Sequence, residues 1–332
     1  GTASHAPDFS QTMPMPSRDE EDEEERRLMV SLGGCGVTHP VSDWHGSDNH
    51  VNETKLASGV VDIDDSEIEM EGSDKVAQGG LGVLYRAYWR GTEVAVKKPV
   101  DPRAGMDPKL KEDFRKEAEI LGEVRHPNVV LLMAVALRPP NLCIVLEWLD
   151  GGSLYEVLHR SRADPSKDTK LSMAEGVAAG LAFLHASSPS IIHRDIKSQN
   201  VLVDRALTVA KICDFGLAIR ESEVAETNAA AGTPQYMAPE LYRGESCSVQ
   251  SDVYAFGVML WELYARALPF GGCDIDEIRD KTVRGERPEI PLTTPRQIGL
   301  LVKDCWAARP DTRPSLIKVL KTIRDMRQDD SP

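Results

Sequence analysis

An α+β fold of two lobes, a small β-rich lobe followed by a larger helical one, is predicted by three features of this 332-residue chain. Between Lys75 and Leu146 short apolar runs alternate with turn residues. Beyond Gly151-Gly152 the apolar spacing becomes helical. The change falls at one short joint, Glu147–Asp150. Sheet-forming and helix-forming stretches segregated in this way pack as separate layers. The cleft left at their joint is a favoured place for a ligand.

The first 71 residues are expected to stay outside this core. They hold few large apolar side chains and a dense acidic block, Asp19 to Glu25, followed by Arg26 and Arg27. Such a segment buries too little apolar area to offset the entropy of ordering it, so residues 1–71 read as an acidic, disordered tail. A docking or autoregulatory tail is the functional alternative. The charge agrees with this division. Residues 1–74 carry 18 acidic and 4 basic residues, whereas residues 75–332 carry 35 of each. The net charge of −14 therefore belongs to the tail. No basic stripe compensates for it, and a nucleic-acid partner is not expected.

From Lys75 the elements follow in order. Leu84–Tyr88, a turn at Arg90-Gly91 and Val94-Ala95-Val96 read as a β-hairpin. Pro108–Val124 places Leu110, Phe114, Ala118 and Leu121 at helical spacing. Val129–Leu137 and Leu142–Leu146 read as two more buried strands, completing an N-lobe over residues 75–147. The C-lobe, residues 151–328, offers helical stretches at Ser153–Arg160, Leu171–Ala186, Ser251–Tyr264, Asp274–Arg284, Arg296–Ala307 and Ser315–Arg327. Nowhere do eighteen apolar residues run together, so no membrane segment is expected. The six cysteines are scattered, with no close pair and no His cluster. That argues against a zinc site or a disulfide framework and for a reducing, cytoplasmic setting. Cys213 stands apart, because it precedes a candidate active-site motif where an electrophile or oxidant could reach it.

Three motifs carry chemistry. The first is Ala77-Gln78-Gly79-Gly80-Leu81-Gly82-Val83-Leu84, between two predicted strands. Glycine permits positive φ and the close backbone approach that lets amides meet phosphates, although structural turns share this composition. The second, Ala95-Val96-Lys97, begins thirteen residues beyond Gly82. A lysine on a buried strand is costly without an anionic partner, and Glu117 on the following helix is the natural carboxylate. Lys98, on the opposite strand face, reads as a solvated surface charge. The third and strongest is His193-Arg194-Asp195-Ile196-Lys197-Ser198-Gln199-Asn200, with Asp214-Phe215-Gly216 beginning fourteen residues past Asn200. Phosphoryl transfer between oxygens needs positioning and charge neutralisation more than covalent chemistry. One carboxylate must orient the attacking hydroxyl, and a second carboxylate with an amide oxygen must hold a metal against phosphates. Two Asp and one Asn, set in loops at strand ends, supply those groups.

Together with Ala238-Pro239-Glu240, Asp252 in Ser251–Gly257 and Arg313 in Arg309–Pro314, these motifs make the stretch from Lys75 to Arg327 resemble a eukaryotic protein kinase catalytic domain. The resemblance implies ATP as phosphoryl donor, Mg²⁺ or Mn²⁺ as cofactor and a protein substrate. It implies that Lys97 binds the α/β-phosphates and pairs with Glu117, and that Asp195 is the catalytic base. Lys197 would steady the γ-phosphate, and Asn200 and Asp214 would ligate the metal. Ala77, Gly79, Gly80, Gly82 and Leu84 would cover the nucleotide. Glu147–Leu149 would be the adenine-binding hinge after Leu146 at the gatekeeper position, with Ala95 and Leu202 on the two faces of the base. Arg313 would pair with Glu240.

Lys197 and Gly232-Thr233-Pro234 are similar to serine/threonine kinases. Lys197–Asn200 and Arg90–Lys97 resemble the tyrosine-kinase-like branch, Raf-like or mixed-lineage. Dual specificity stays open. Arg194 beside Asp195 implies regulation by an upstream kinase acting on the activation loop, with Ser222 or Thr227 as the regulatory residue and Thr233 contacting the catalytic loop; ordinary solvent-facing hydroxyls are the alternative for Ser222 and Thr227. Glu221, Glu223 and Glu226 already bring negative charge there. Ala77 stands where the family's first loop glycine falls, and Leu81 replaces the usual aromatic at the loop tip. A pseudokinase or ATP-binding scaffold with weak or no transfer is therefore the alternative, opposed by the presence of Lys97, Asp195 and Asp214. A small-molecule kinase is opposed by the complete segment ending in Ala238-Pro239-Glu240.

Overall fold

The structure, a computed structural model, describes residues 60–78, 82–100, 107–138, 141–161, 164–226 and 231–329. Most of the acidic tail, Gly79, Gly80 and Thr227 lie outside these ranges. The described chain folds as the sequence predicts, with a curled sheet lobe ahead of a helical lobe.

The sheet contains β1 (Val61–Asp62), β2 (Ile68–Gln78), β3 (Val83–Trp89), β4 (Thr92–Lys98), β5 (Leu132–Ala136) and β6 (Cys143–Glu147), in the order β1-β5-β6-β4-β3-β2. The β3–β4 hairpin closes through Arg90 and Gly91 at φ +50° and +75°. Two positive φ values in a two-residue loop match the twist of the flanking strands. Side chains then alternate between the sheet's two faces. Val94, Val96, Ala87 and Trp89 point to one face with Ala134 and Val145. Ala95, Leu132, Ile144 and Leu146 point to the other, where α1 (Pro108–Glu123) packs through Phe114, Ala118 and Leu121. Asp107 caps that helix by accepting the Lys109 N–H, with Pro108 in the first turn.

Order begins well ahead of Lys75, which corrects the expected tail boundary at residue 71. Val61 and Asp62 pair in parallel with Ala134 and Val135 of β5, and the Ile63 N–H donates to the Val135 carbonyl at 2.9 Å. Ile63 and Ile68 are buried under the sheet. Asp64 and Glu67 cap the intervening turn reciprocally. Three of the acids that made this stretch look like tail meet a cation: Asp62 with Arg138 at 2.9 Å, Asp65 with Lys98 at 2.6 Å, and Glu67 with Arg90 at 2.9 Å. Lys98 is thus paired rather than solvated. Ion pairs this exposed contribute little each, so the two isoleucines hold the strap. We expect Ile63→Ala or Ile68→Ala to cost about 2–5 kcal/mol in denaturant unfolding. An unchanged midpoint would mean that the strap lies loosely on the sheet.

The helical lobe comprises α2 (Leu154–His159), α3 (Lys167–Ala186), α4 (Pro239–Tyr242), α5 (Val249–Ala265), α6 (Ile275–Val283), α7 (Arg296–Cys305) and α8 (Leu316–Asp329). α5 is its axis, buried without a break from Ser251 to Leu263. A helix buried on every side, its charged residues hydrogen-bonded, belongs in the middle of a core. α8 is clasped to α3 by Arg324 and Arg327, which donate to Glu175 at 2.8 and 2.6 Å. The lobe's upper surface is built from two small ladders, β7 (Ile191–Ile192) with β10 (Ile219–Arg220) and β8 (Val201–Val203) with β9 (Ala210–Ile212). Among the described residues no helix is long and apolar enough to cross a membrane.

Candidate active site

Lys97 comes from β4 with its side chain on the α1 face, opposite Leu84 in the register of β3. Its Nζ lies 2.8 Å from both carboxylate oxygens of Glu117 and 3.0 Å from Asp214 Oδ1. Glu117 is almost fully buried on α1, one turn from Phe114 and Leu121. Burial alone would push the Lys97 ammonium down, but the Glu117 and Asp214 carboxylates outweigh it and hold its pKa above the ordinary lysine value. Gly82, just ahead of β3, lies against the end of β4: a Cβ there would stand 2.7 Å from the Lys98 carbonyl and 3.3 Å from Lys97 Cγ, so a side chain would collide with the backbone beside the lysine.

The β8–β9 hairpin accounts for the spacing between Asn200 and Asp214. Val201 pairs with Ile212, and the Cys213 N–H donates to the Asn200 carbonyl at 2.9 Å, so the two metal-candidate residues flank the same end of one hairpin. Asn200 gives its amide hydrogens to Asp195, at 2.8 Å to the backbone carbonyl and 2.9 Å to Oδ2. Its Oδ1 is left as the side chain's ligand atom. Asp214 sits at φ +61°, a strained conformation that turns its carboxylate into the cleft, where it is 49% exposed. Partial burial raises its pKa, but Lys97 draws it below the usual carboxylate range. Phe215 points inward and meets the His193 ring edge-on at 4.9 Å. Burial pushes the Cys213 thiol well above its ordinary pKa, which keeps it protonated and lowers the reactivity considered for it.

Asp195 itself is 9% exposed. Lys197 Nζ donates to its Oδ2 at 2.6 Å and to Thr233 Oγ1 at 2.7 Å, and Thr233 donates to Asp195 Oδ1 at 2.7 Å. The three side chains form a closed triangle that joins the catalytic loop to the activation segment. Gly232 permits the approach. It adopts φ +119°, and a Cβ there would lie 2.6 Å from the Arg194 carbonyl. The loop is held from below by Asp252, which accepts the His193 and Arg194 backbone N–H groups at 2.9 Å each and faces His185 Nε2 at 3.0 Å. Burial would raise the Asp252 pKa, but His185 and the His193 N–H hold it below the ordinary value.

The hinge side is apolar. Ala95 and Leu146 are buried and paired across β4 and β6, and half-buried Leu202 rises from β8 beside a bridge to Ser153. Glu147 and Leu149 follow as the connection between lobes. Sequence reasoning assigned only a backbone role to Glu147, yet its side chain accepts the Leu131 N–H at 2.7 Å and Lys211 Nζ at 2.6 Å. Ala77 lies exposed at the end of β2. Ser222 is exposed on a short 3₁₀ turn over Glu221–Glu226. Behind that turn Arg220 bridges Glu223 at 3.2 Å and Glu123, the last residue of α1, at 2.8 Å. Arg194 is half-buried. Arg220 and Lys211 carried no motif, and only their charge marked them in the sequence.

A sheet lobe over a helical lobe, with a lysine, a base-candidate aspartate and two oxygen-donor side chains facing one cleft, defines a protein kinase catalytic domain. The family model described as protein tyrosine and serine/threonine kinase matches residues 70–323, and the chain belongs to this family. It is 41% identical over 266 residues, 80% of its length, to a probable serine/threonine-protein kinase of Dictyostelium discoideum. It is 39% identical over 273 residues (80% of its length) to the serine/threonine-protein kinase CTR1 of Arabidopsis thaliana. It is also 39% identical over 271 residues (78% of its length) to the mitogen-activated protein kinase kinase kinase 10 of Mus musculus. These matches agree with the tyrosine-kinase-like resemblance of its motifs. They cover 29%, 33% and 28% of those three relatives, so the chain spans about a third of their length.

Proposed function

We propose that this chain transfers the γ-phosphoryl group of ATP to serine or threonine hydroxyls of protein substrates, in intracellular signalling. The observation that carries the reading is the Asp195–Lys197–Thr233 triangle facing the Lys97–Glu117–Asp214 cluster across one cleft. Asp195 accepts the proton of the attacking hydroxyl, and its oxygens are held for that task by Lys197, Thr233 and Asn200. Lys97, kept cationic by two carboxylates, meets the α/β-phosphates. Lys197 holds the γ-phosphate near the incoming oxygen. Ala95, Leu146 and Leu202 enclose adenine while Glu147 and Leu149 offer backbone groups to it, and Ala77, Gly79, Gly80, Gly82 and Leu84 cover the phosphates.

The donor set suits Mg²⁺ or Mn²⁺. Asp214 and Asn200 present hard oxygens side by side, and among the described residues no group of three or more His, Cys, Asp or Glu side chains gathers as a closed metal cage. A hard cation completed by phosphate oxygens and water needs only these two protein ligands. When bound, the metal supplies neutralisation of the phosphate charge that develops during transfer.

Regulation is proposed through phosphorylation of Ser222 or Thr227 by an upstream kinase, with Arg194 receiving the phosphate. Thr233 is engaged with Asp195 and Lys197, which supports a constitutive role for it instead.

The decisive assay is transfer of ³²P from Mg-ATP to casein and myelin basic protein, followed by phosphoamino-acid analysis. Label on Ser and Thr is expected, with Asp195→Asn lowering the rate by about 10²–10⁴. Equal silence of the wild type and the variant, with ATP still bound, would establish the scaffold alternative.

A further inference from the structure

Glu262 lies in the middle of α5, 0% exposed, between Trp261 and Leu263. A carboxylate withdrawn from water is costly unless hydrogen bonds replace its hydration. Three side chains from three separate segments do so here. Ser198 Oγ donates to Oε1 at 2.8 Å, and the Tyr236 hydroxyl donates to Oε2 at 2.6 Å. His159 places Nε2 2.7 Å from Oε1, with its ring against Tyr155 at 4.7 Å between centroids. Ser198 directly follows Lys197 and lies two residues before Asn200. Tyr236 is three residues beyond Thr233. The two oxygens of one buried carboxylate are therefore tied to the two strands of chain that meet in the Asp195–Lys197–Thr233 triangle.

We propose that His159 is a positioning residue for phosphoryl transfer. By donating its Nε2–H to Glu262 it fixes the carboxylate orientation in which Oε1 holds the catalytic loop and Oε2 holds the substrate-facing segment. His159 is the last residue of α2, the first helix after the hinge. It touches none of the reacting groups and acts through Glu262. Without its N–H, Oε1 keeps a single donor and the carboxylate can rotate away from Ser198 or Tyr236. Either movement shifts Lys197 or Thr233 relative to Asp195. Displacements of this size, made far from the chemistry, slow a reaction without weakening nucleotide binding. The inference rests on the kinase reading of that triangle.

The test compares His159→Phe, which keeps the ring packed on Tyr155 but has no donor, with His159→Gln, whose amide nitrogen falls near the position of Nε2. The Phe variant is expected to lose about tenfold or more in kcat with KM for ATP changed less than about twofold, and the Gln variant to recover most of the loss. Amide hydrogen exchange of the nucleotide-free proteins supplies a readout independent of transfer. The protected amides of Asn200, Tyr236 and Met237, which donate to Lys197, Thr233 and Pro234, should exchange faster in the Phe variant and at the wild-type rate in the Gln variant. Wild-type exchange at these amides in the Phe variant overturns the proposal. So does a fall in melting temperature with kcat unchanged. If every protein is silent in transfer, the kinase reading fails, and the exchange comparison still decides whether His159 positions the two segments.

Discussion

Lys97→Ala is expected to lower kcat by about 10²–10³, the usual consequence of removing one preorganised charge from a transfer site. The geometry makes this loss hard to compensate. Lys97 Nζ is the sole cation within hydrogen-bond reach of Glu117 among the described residues. Removing it leaves a carboxylate on α1 with burial as the main influence, and burial already pushes the Glu117 pKa up. The residue would take up a proton rather than remain a buried anion. The fold should therefore survive while the site does not. KM for ATP should rise as well, since phosphate contacts are lost before the transition state is reached. Lys97→Arg should not restore activity, because a planar guanidinium cannot meet Glu117 and Asp214 from the position of a compact ammonium. Glu117→Gln should cost less than Lys97→Ala, since the lysine keeps its bond to Asp214. Steady-state kinetics on the three variants, with circular dichroism as the folding control, settles the order. A Lys97→Ala enzyme within tenfold of wild type would refute the assignment.

The largest effect on stability is expected at Arg313. Its Nη1 and Nη2 meet the two Glu240 oxygens at 2.6 and 2.8 Å, and it also donates to the Ala307 and Gln250 carbonyls at 2.9 and 2.8 Å. The guanidinium lies over the Tyr254 ring at 5.1 Å. Both side chains are sealed, Arg313 at 0% and Glu240 at 3% exposure. Arg313→Ala would leave a buried carboxylate and two carbonyls without their donor, and breaking such a pair from one side costs about 3–5 kcal/mol. Glu240→Gln keeps one acceptor for the guanidinium and should be milder. Replacing both partners together, Glu240→Leu with Arg313→Met, should recover part of the loss, because a buried pair is stabilising mainly against its own half-removal. Urea unfolding of the two single variants and the double variant tests this. A single and a double variant of equal stability would show that the ion pair is not the source of the effect.

What was legible in the sequence depended on whether the physics was local. The β3–β4 hairpin was readable because Arg90-Gly91 is short and its flanks alternate. α1 was readable because Leu110, Phe114, Ala118 and Leu121 repeat at helical spacing. The Lys97–Glu117 pair was readable because a buried lysine demands an anion and Glu117 sits between Phe114 and Leu121 on the apolar side of the next helix. The strap from Val60 to Glu69 was missed for the opposite reason. Its stability comes from residues distant in sequence: Ala134 and Val135 as strand partners, and the sheet face of Ala87, Val94, Val96 and Val145 that buries Ile63 and Ile68. Within its own window it shows acids, one short Val60-Val61 pair and two isolated isoleucines. The donors around Glu262 were invisible for the same reason, since Ser198, Tyr236 and His159 meet only in the folded chain. Lys98 was read as solvated because its partner Asp65 was assigned to the tail.

The parallel pairing of β1 with β5 also fixes where upstream polypeptide is anchored. Val61 stands opposite Ala134, and β5 begins just after Val130, whose N–H donates to the carbonyl of Ile212 in the helical lobe at 2.9 Å. Val60 thus adjoins the strand that follows directly from this contact between the lobes. A fusion joined ahead of residue 60 would therefore enter at the sheet lobe beside β5, whereas one joined after α8 would leave from the helical lobe.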